Sequence, residues 1–174
     1  MKLTVYMAQS LNGLIATKND DTPWSDDSWE SYEKIISKFE AIIIGRKTFE
    51  SIQQDPNEWD NIGNPLVIIL SDSLSVTDTN FASVRSPEDA VEILKQKNIK
   101  KAAVCGGAHL NTTFLDKGMI SEMIIDIESQ LLVSGINFIN EKYLSKNIKL
   151  ELMQAKKISK NLAQLTYVLK IKNI

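Results

Sequence analysis

The residues best suited to chemistry stand at Gly45-Arg46-Lys47-Thr48, directly after the apolar run Ala41-Ile42-Ile43-Ile44. A β-branched run without polar residues reads as a strand buried on both faces. Gly45 permits a tight turn. Arg46, Lys47 and Thr48 then fall in the first turn of a helix, where free backbone N–H groups and the helix dipole favour an anion. The chemistry is phosphate binding, for a phosphorylated cofactor or substrate. The alternative for this segment alone is an ordinary strand-turn-helix with a solvated basic turn. Two further strand ends share the capacity. Lys101-Ala102-Ala103-Val104-Cys105 runs into Gly106-Gly107-Ala108, where paired glycines let backbone approach a ligand. The strand-like run 65–70 is followed by Ser71-Asp72-Ser73. Each end is weak by itself, and the three together point away from a coincidence of turns.

The elements that must position these ends follow from hydrophobic period. Strand-like runs occur at 3–8, 41–45, 65–70, 101–105, 120–127, 147–156 and 162–171. Residues 27–38 carry Trp29, Tyr32, Ile35 and Ile36 at helical spacing. Ser86-Pro87-Glu88-Asp89 is a helix start, with a capping Ser, a Pro at the first position and two acids, and the helix should reach about Lys97. Residues 108–117 form another short helix. Alternating strands and helices predict an α/β fold: a largely parallel central sheet with helices on both faces. The two last strands, joined through Ser159-Lys160-Asn161, predict an antiparallel C-terminal hairpin. Ligands in such sheets bind at the carboxyl ends of the strands. No linker or repeat divides residues 1–174, so a single domain is expected.

Bulk properties exclude several classes. The 174 residues are 43% hydrophobic and 24% charged, with a net charge of −2, which gives no electrostatic case for nucleic-acid binding. Lysines gather in the last third, but acidic and apolar residues interrupt them. No apolar run approaches the roughly 20 residues of a membrane span. One Cys and one His argue against a Cys/His zinc site and an internal disulfide. Met1-Lys2 leads straight into a strand with no cleavable signal pattern. A soluble cytoplasmic protein is expected.

The chain resembles the dihydrofolate reductase superfamily, including the reductase domain of the bifunctional riboflavin-biosynthesis deaminase/reductases. The pieces occur in the expected order over most of the chain: Ala8 to Ala16, Pro23-Trp24, Ile44 to Ser51, Ile69-Leu70-Ser71, Cys105 to Ala108 and Phe114 to Glu122. The resemblance implies NADPH as hydride donor. It implies that Gly45, Arg46, Lys47 and Thr48 hold cofactor phosphates, that Ser71 lies near the adenosine 2′-phosphate, and that Gly106, Gly107 and Ala108 pack under the cofactor. Ala8 and Ile15 would line the nicotinamide, and Asn12 and Trp24 the substrate. A homodimer is the usual assembly of the riboflavin branch. Folate reductases place an acid five positions after the Trp of Pro23-Trp24, and here that position is Trp29. A Trp supplies no carboxylate for a pterin ring, which argues against ordinary folate reduction. Ser10-Leu11-Asn12-Gly13 and Phe114 to Glu122 favour the riboflavin branch, although its glycine-rich segment survives here only as Gly135. The chain has no His-x-Glu with Pro-Cys-x-x-Cys, so the deaminase chemistry is not expected beside it.

The implied reaction is hydride transfer to a C=N or C=O bond of a small heterocycle, most like that of 5-amino-6-(5-phosphoribosylamino)uracil reductase. The alternatives are a divergent dihydrofolate or pteridine reductase, and a nucleotide-binding module without turnover. A proton donor is needed. Asp27 and then Glu30 are the candidates, with Asp26 expected as a helix cap and solvent as the remaining source. Trp24 and Trp29 either stack on a heterocycle or belong to the core. His109 either approaches a phosphate or sits on the surface. Cys105 is expected to be a packing residue, and Trp59 to lie in a loop.

Overall fold

The computed structural model describes residues 1–54 and 57–169. The chain begins with β1 (Lys2–Ser10), β2 (Leu14–Thr17) and α1 (Asp26–Ile36). It continues through β3 (Ala41–Gly45), α2 (Arg46–Ile52), α3 (Glu58–Asn61), β4 (Leu66–Leu70), β5 (Phe81–Val84) and α4 (Pro87–Gln96). Then come β6 (Lys101–Val104), α5 (Ala108–Asp116), β7 (Glu122–Glu128), β8 (Gly135–Asn137), β9 (Leu150–Lys157) and β10 (Leu162–Leu169). Eight strands form one sheet in the order β5-β4-β3-β6-β1-β7-β10-β9. The first six are parallel to one another, and β10 runs antiparallel to both β7 and β9. The expected mixed sheet with its C-terminal hairpin is therefore present. The expected continuation of the last strand past Leu169 lies outside the described residues.

Period-two alternation sorts the core into two layers. Leu3, Val5, Ile43, Ala102 and Val104 face α4 and α5, packing on Leu94, Leu110 and Phe114. Tyr6, Ile42, Ile44, Val67 and Ile69 face the other way, onto Ile35 and Ile36 of α1, Phe49 and Ile52 of α2, and Ile62. Ile36, Ile42, Ile43, Ile44, Ile68 and Phe114 are fully buried, each stabilising the fold by about 1.5–3 kcal/mol through burial. Ser86 caps α4 as expected, its hydroxyl accepting from the Asp89 N–H at 3.1 Å. No helix of the described residues is long and apolar enough to cross a membrane.

Four elements escape the sequence pattern. β2 and β8 form a separate two-stranded antiparallel sheet, and at three or four residues they are too short to show a period. β5, at the sheet edge, is only half-buried through most of its length. Trp59 is not in a loop: it belongs to α3 and sits edge-on to Phe81, with ring centroids 5.5 Å apart. The aromatic cluster of Phe49, Trp59 and Phe81 holds this one-turn helix, which no local signal marks.

Candidate active site

The strand order reverses between β6 and β1: the helix that follows β1 covers one face and the helix that follows β6 covers the other. Such a switch point opens a crevice at the carboxyl ends of the strands. A cleft of about 530 Å³ lies there. Its base is Tyr6, Met7 and Ala8 of β1, Ile44 of β3, and Cys105-Gly106-Gly107. One wall comes from α2, with Lys47, Thr48, Glu50 and Ser51. The other is Trp24 with Ser28, Trp29 and Tyr32 of α1, and Ile15, Ala16 and Ile136 close the remaining side.

Among the expected cofactor residues, Ala8, Ile15, Lys47, Thr48, Gly106 and Gly107 share this cleft, with Trp24 opposite. Gly107 caps α5 and an added Cβ there would stand in open space, while one at Gly106 would drive into Leu110. No side chain caps α5, so its first N–H groups are left for a ligand or water. The peptides here are trans. Gly45 has an ordinary extended backbone (φ −82°) with open space around it, so the turn into α2 does not itself demand a glycine. Arg46 lies outside the lining, its guanidinium donating to both Glu50 carboxylate oxygens at 2.8 and 3.1 Å. Lys47 meets Asp20 at 3.2 Å across the cleft mouth.

Five other expected residues lie outside the cleft lining. Ser71 accepts from the N–H groups of Ser73 and Leu74, closing the turn after β4. Asn12 is a clamp between loops: its Oδ1 accepts from Ser10 and from the Leu132 N–H, and its Nδ2 donates to the Leu132 carbonyl at 2.8 Å. Asp27 and Glu30 stand on α1 but do not line the cleft, and neither does Ala108. The α1 cap is Ser25, not Asp26, because Ser25 is held from the sheet. Its N–H and hydroxyl both donate to Glu128 Oε1, at 2.9 and 2.7 Å. That buried carboxylate sits at the positive end of the helix, where the dipole favours it. His109 is exposed and packs edge-on against Tyr143, 4.7 Å between centroids. Trp29 is 41% exposed in the cleft, edge-on to Tyr32, rather than in the core.

Behind the cleft floor lies a polar group that no motif in the sequence announces. The Tyr6 hydroxyl donates to Asp126 Oδ2 at 2.7 Å. Gln164 Nε2 donates to Asp126 Oδ1 at 2.8 Å and to Ser31 at 3.3 Å. Three strands, β1, β7 and β10, meet at this one carboxylate, and Gln164 ties α1 to them through Ser31. The single visible signal was an acid in the apolar phase of Met123-Ile124-Ile125-Asp126-Ile127. Burial, then the nearby Asp126 charge, pushes the Tyr6 phenol far above the ordinary tyrosine range, and burial does the same to Tyr32. Burial also pushes the Cys105 thiol up to about 12, so it stays a neutral packing group.

Proteins of known family share this fold. Dihydrofolate reductase type 15 of Escherichia coli is 30% identical over 131 residues, covering 75% of this chain and 78% of that one. A Shewanella sp. PV-4 protein described under riboflavin biosynthesis has the same fold, with a TM-score of 0.82 at 21% identity over 98% of this chain and all of that one. So does the deaminase/5-amino-6-(5-phosphoribosylamino)uracil reductase of Thermotoga maritima. There the TM-score is 0.72 at 16% identity, and the match covers 97% of this chain and 56% of that larger one. Residues 1–163 match the RibD C-terminal domain, and the chain belongs to that family within the dihydrofolate reductase-like superfamily.

Proposed function

We propose that the chain is an NADPH-dependent reductase that delivers hydride to a C=N or C=O bond of a small heterocycle. Its substrate would be of the kind reduced by 5-amino-6-(5-phosphoribosylamino)uracil reductase. The observation that carries the reading is the single cleft in which Lys47-Thr48 and Gly106-Gly107 face the aromatic wall of Trp24, Trp29 and Tyr32. The open space at Gly107 and the uncapped start of α5 fit a nucleotide diphosphate. The nicotinamide, when bound, supplies the hydride. The protein's part is to bind, orient and exclude water: Ala8 and Ile15 pack beside the ring, Lys47 exchanges Asp20 for phosphate, and the α1 wall receives the substrate. Since Asp27 and Glu30 stand outside the lining, water entering at the cleft mouth is the favoured proton source. The riboflavin-branch resemblance extends the reading to a homodimer. The exposed edge strand β9, bearing Leu150, Leu152 and Met153, supports that assembly. A single cytoplasmic domain completes it.

The test is titration with NADPH and NADH, followed by quenching of tryptophan fluorescence. Addition of the ribosylaminopyrimidine or dihydrofolate then follows, while the reduced nicotinamide absorbance is watched. NADPH binding with oxidation on the pyrimidine is the expected result. Oxidation on dihydrofolate would favour the second reading, a divergent folate reductase, which the 30% identity to a dihydrofolate reductase supports. No binding of either nucleotide would refute a reductase.

A further inference from the structure

Ser28, on α1, lines the cleft, is only 2% exposed, and its hydroxyl has no hydrogen-bond partner. Helical hydroxyls ordinarily satisfy themselves on the carbonyl one turn back. Thr112 and Thr113 do so on α5, donating to Ala108 at 2.6 Å and His109 at 2.8 Å. Its neighbours are already engaged: Ser25 with Glu128, Ser31 with Gln164, and Tyr6 with Asp126. The only other orphaned buried side chain among the described residues is Asn111, which does not line the cleft. An unpaired buried hydroxyl is a desolvation penalty that a partner arriving from the cleft would cancel.

We propose that the Ser28 hydroxyl recognises the polar edge of the substrate ring, which rests on the reductase reading above for the identity of that ring. Trp29 stands beside Ser28 in sequence and Tyr32 one turn on, so a flat ring gains stacking surface next to the hydroxyl. No carboxylate of α1 lines the cleft. The α1 share of the wall is therefore neutral, and of the carboxylates lining other sides of the cleft, Asp20 pairs with Lys47 and Glu50 with Arg46, so the ground beside Ser28 suits an uncharged heterocycle with a lactam or amino edge over a ring that must be protonated to bind. Ser28 is a specificity residue, separate from the phosphate end at Lys47 and Gly107.

The experiment compares wild type, Ser28→Ala and Ser28→Thr. Each is titrated with 5-aminouracil, 2,4-diaminopyrimidine and NADPH by tryptophan fluorescence, and unfolded in urea. Ser28→Ala is expected to bind 5-aminouracil about five- to tenfold more weakly, the loss of one neutral hydrogen bond. Ser28→Thr should retain most of the affinity, and NADPH binding should not change. Ser28→Ala should also unfold at equal or higher urea, because it removes an unsatisfied buried group; a purely structural serine would give the opposite shift. Destabilised Ser28→Ala, unchanged affinity for 5-aminouracil, no binding of it by wild type, or tighter binding of 2,4-diaminopyrimidine would each overturn the proposal. Failure of NADPH to bind, with the Ser28 effects intact, would instead refute the reductase reading alone.

Discussion

Asp126 gives the sharpest test of how this site is built. Its buried carboxylate accepts from Tyr6 at 2.7 Å and from Gln164 at 2.8 Å. A hydrogen bond to a charged acceptor is worth about 1.5–3 kcal/mol net. Asp126→Asn can keep its carbonyl oxygen on Gln164 and turn its amide toward the Tyr6 hydroxyl, which can accept but then loses the partner for its own proton. The charge-assisted bond is lost and the phenolic proton stranded, so the fold should lose roughly 1–3 kcal/mol. Asp126→Leu strands both neutral donors, at about 1–3 kcal/mol each, and should lose roughly 2–6 kcal/mol. The assay is urea unfolding, followed by tryptophan fluorescence and far-UV circular dichroism together. A double-mutant cycle with Tyr6→Phe isolates the pair, and its coupling should be about 1–2 kcal/mol. Ring binding should weaken with stability, because Ser31 ties α1 to β10 through Gln164. An Asp126→Asn protein within about 0.5 kcal/mol of the parent, or strictly additive variants, would refute the reasoning.

Raised pKa values of Tyr6, Tyr32 and Cys105 mean that the folded state keeps protons the unfolded chain would release. The stability they contribute is therefore complete below the unfolded values. It should fall above about pH 9 for the thiol and about pH 10 for the tyrosines, by up to roughly 1.4 kcal/mol per pH unit for each proton retained, as urea midpoints against pH would show. Tyr6→Phe should flatten that decline. Gly135→Ala would push a methyl into the Ala16 carbonyl oxygen and part β2 from β8; a loss of about 1–3 kcal/mol and faster proteolysis at residues 14–17 are expected. Lys47→Gln breaks only an exposed ion pair, so stability should move by under about 0.5 kcal/mol, while NADPH affinity falls. Asp27→Asn should leave turnover of the pyrimidine near the wild-type rate if water is the proton source, and a loss of a hundredfold or more, the scale of a missing general acid, would make Asp27 the donor.

The layers are legible in the local residue pattern. The run 41–45, buried on both faces, needs cover from two sides, and the paired glycines before α5 could be read as a strand end open to a ligand. These features are local, since period and turn chemistry act over a few residues. The remaining features depend on contacts between segments far apart in the chain. Period two places Tyr6, Asp126 and Gln164 on faces but says nothing of partners. The registers Ala8 against Asp126 and Gln164 against Asp126 bring together residues up to 120 positions apart. Glu128 finds Ser25 across 103 positions, which makes Ser25 the cap instead of Asp26. Asn12 and Ser71 have the right types for ligand contact, yet neighbouring backbone takes their hydrogen bonds first. Ser28 is the reverse case, an unremarkable residue in sequence that the packing of α1 left buried without a partner. Burial and hydrogen-bond satisfaction belong to the assembled chain, so the residues they single out come into view only after folding has fixed what surrounds each group.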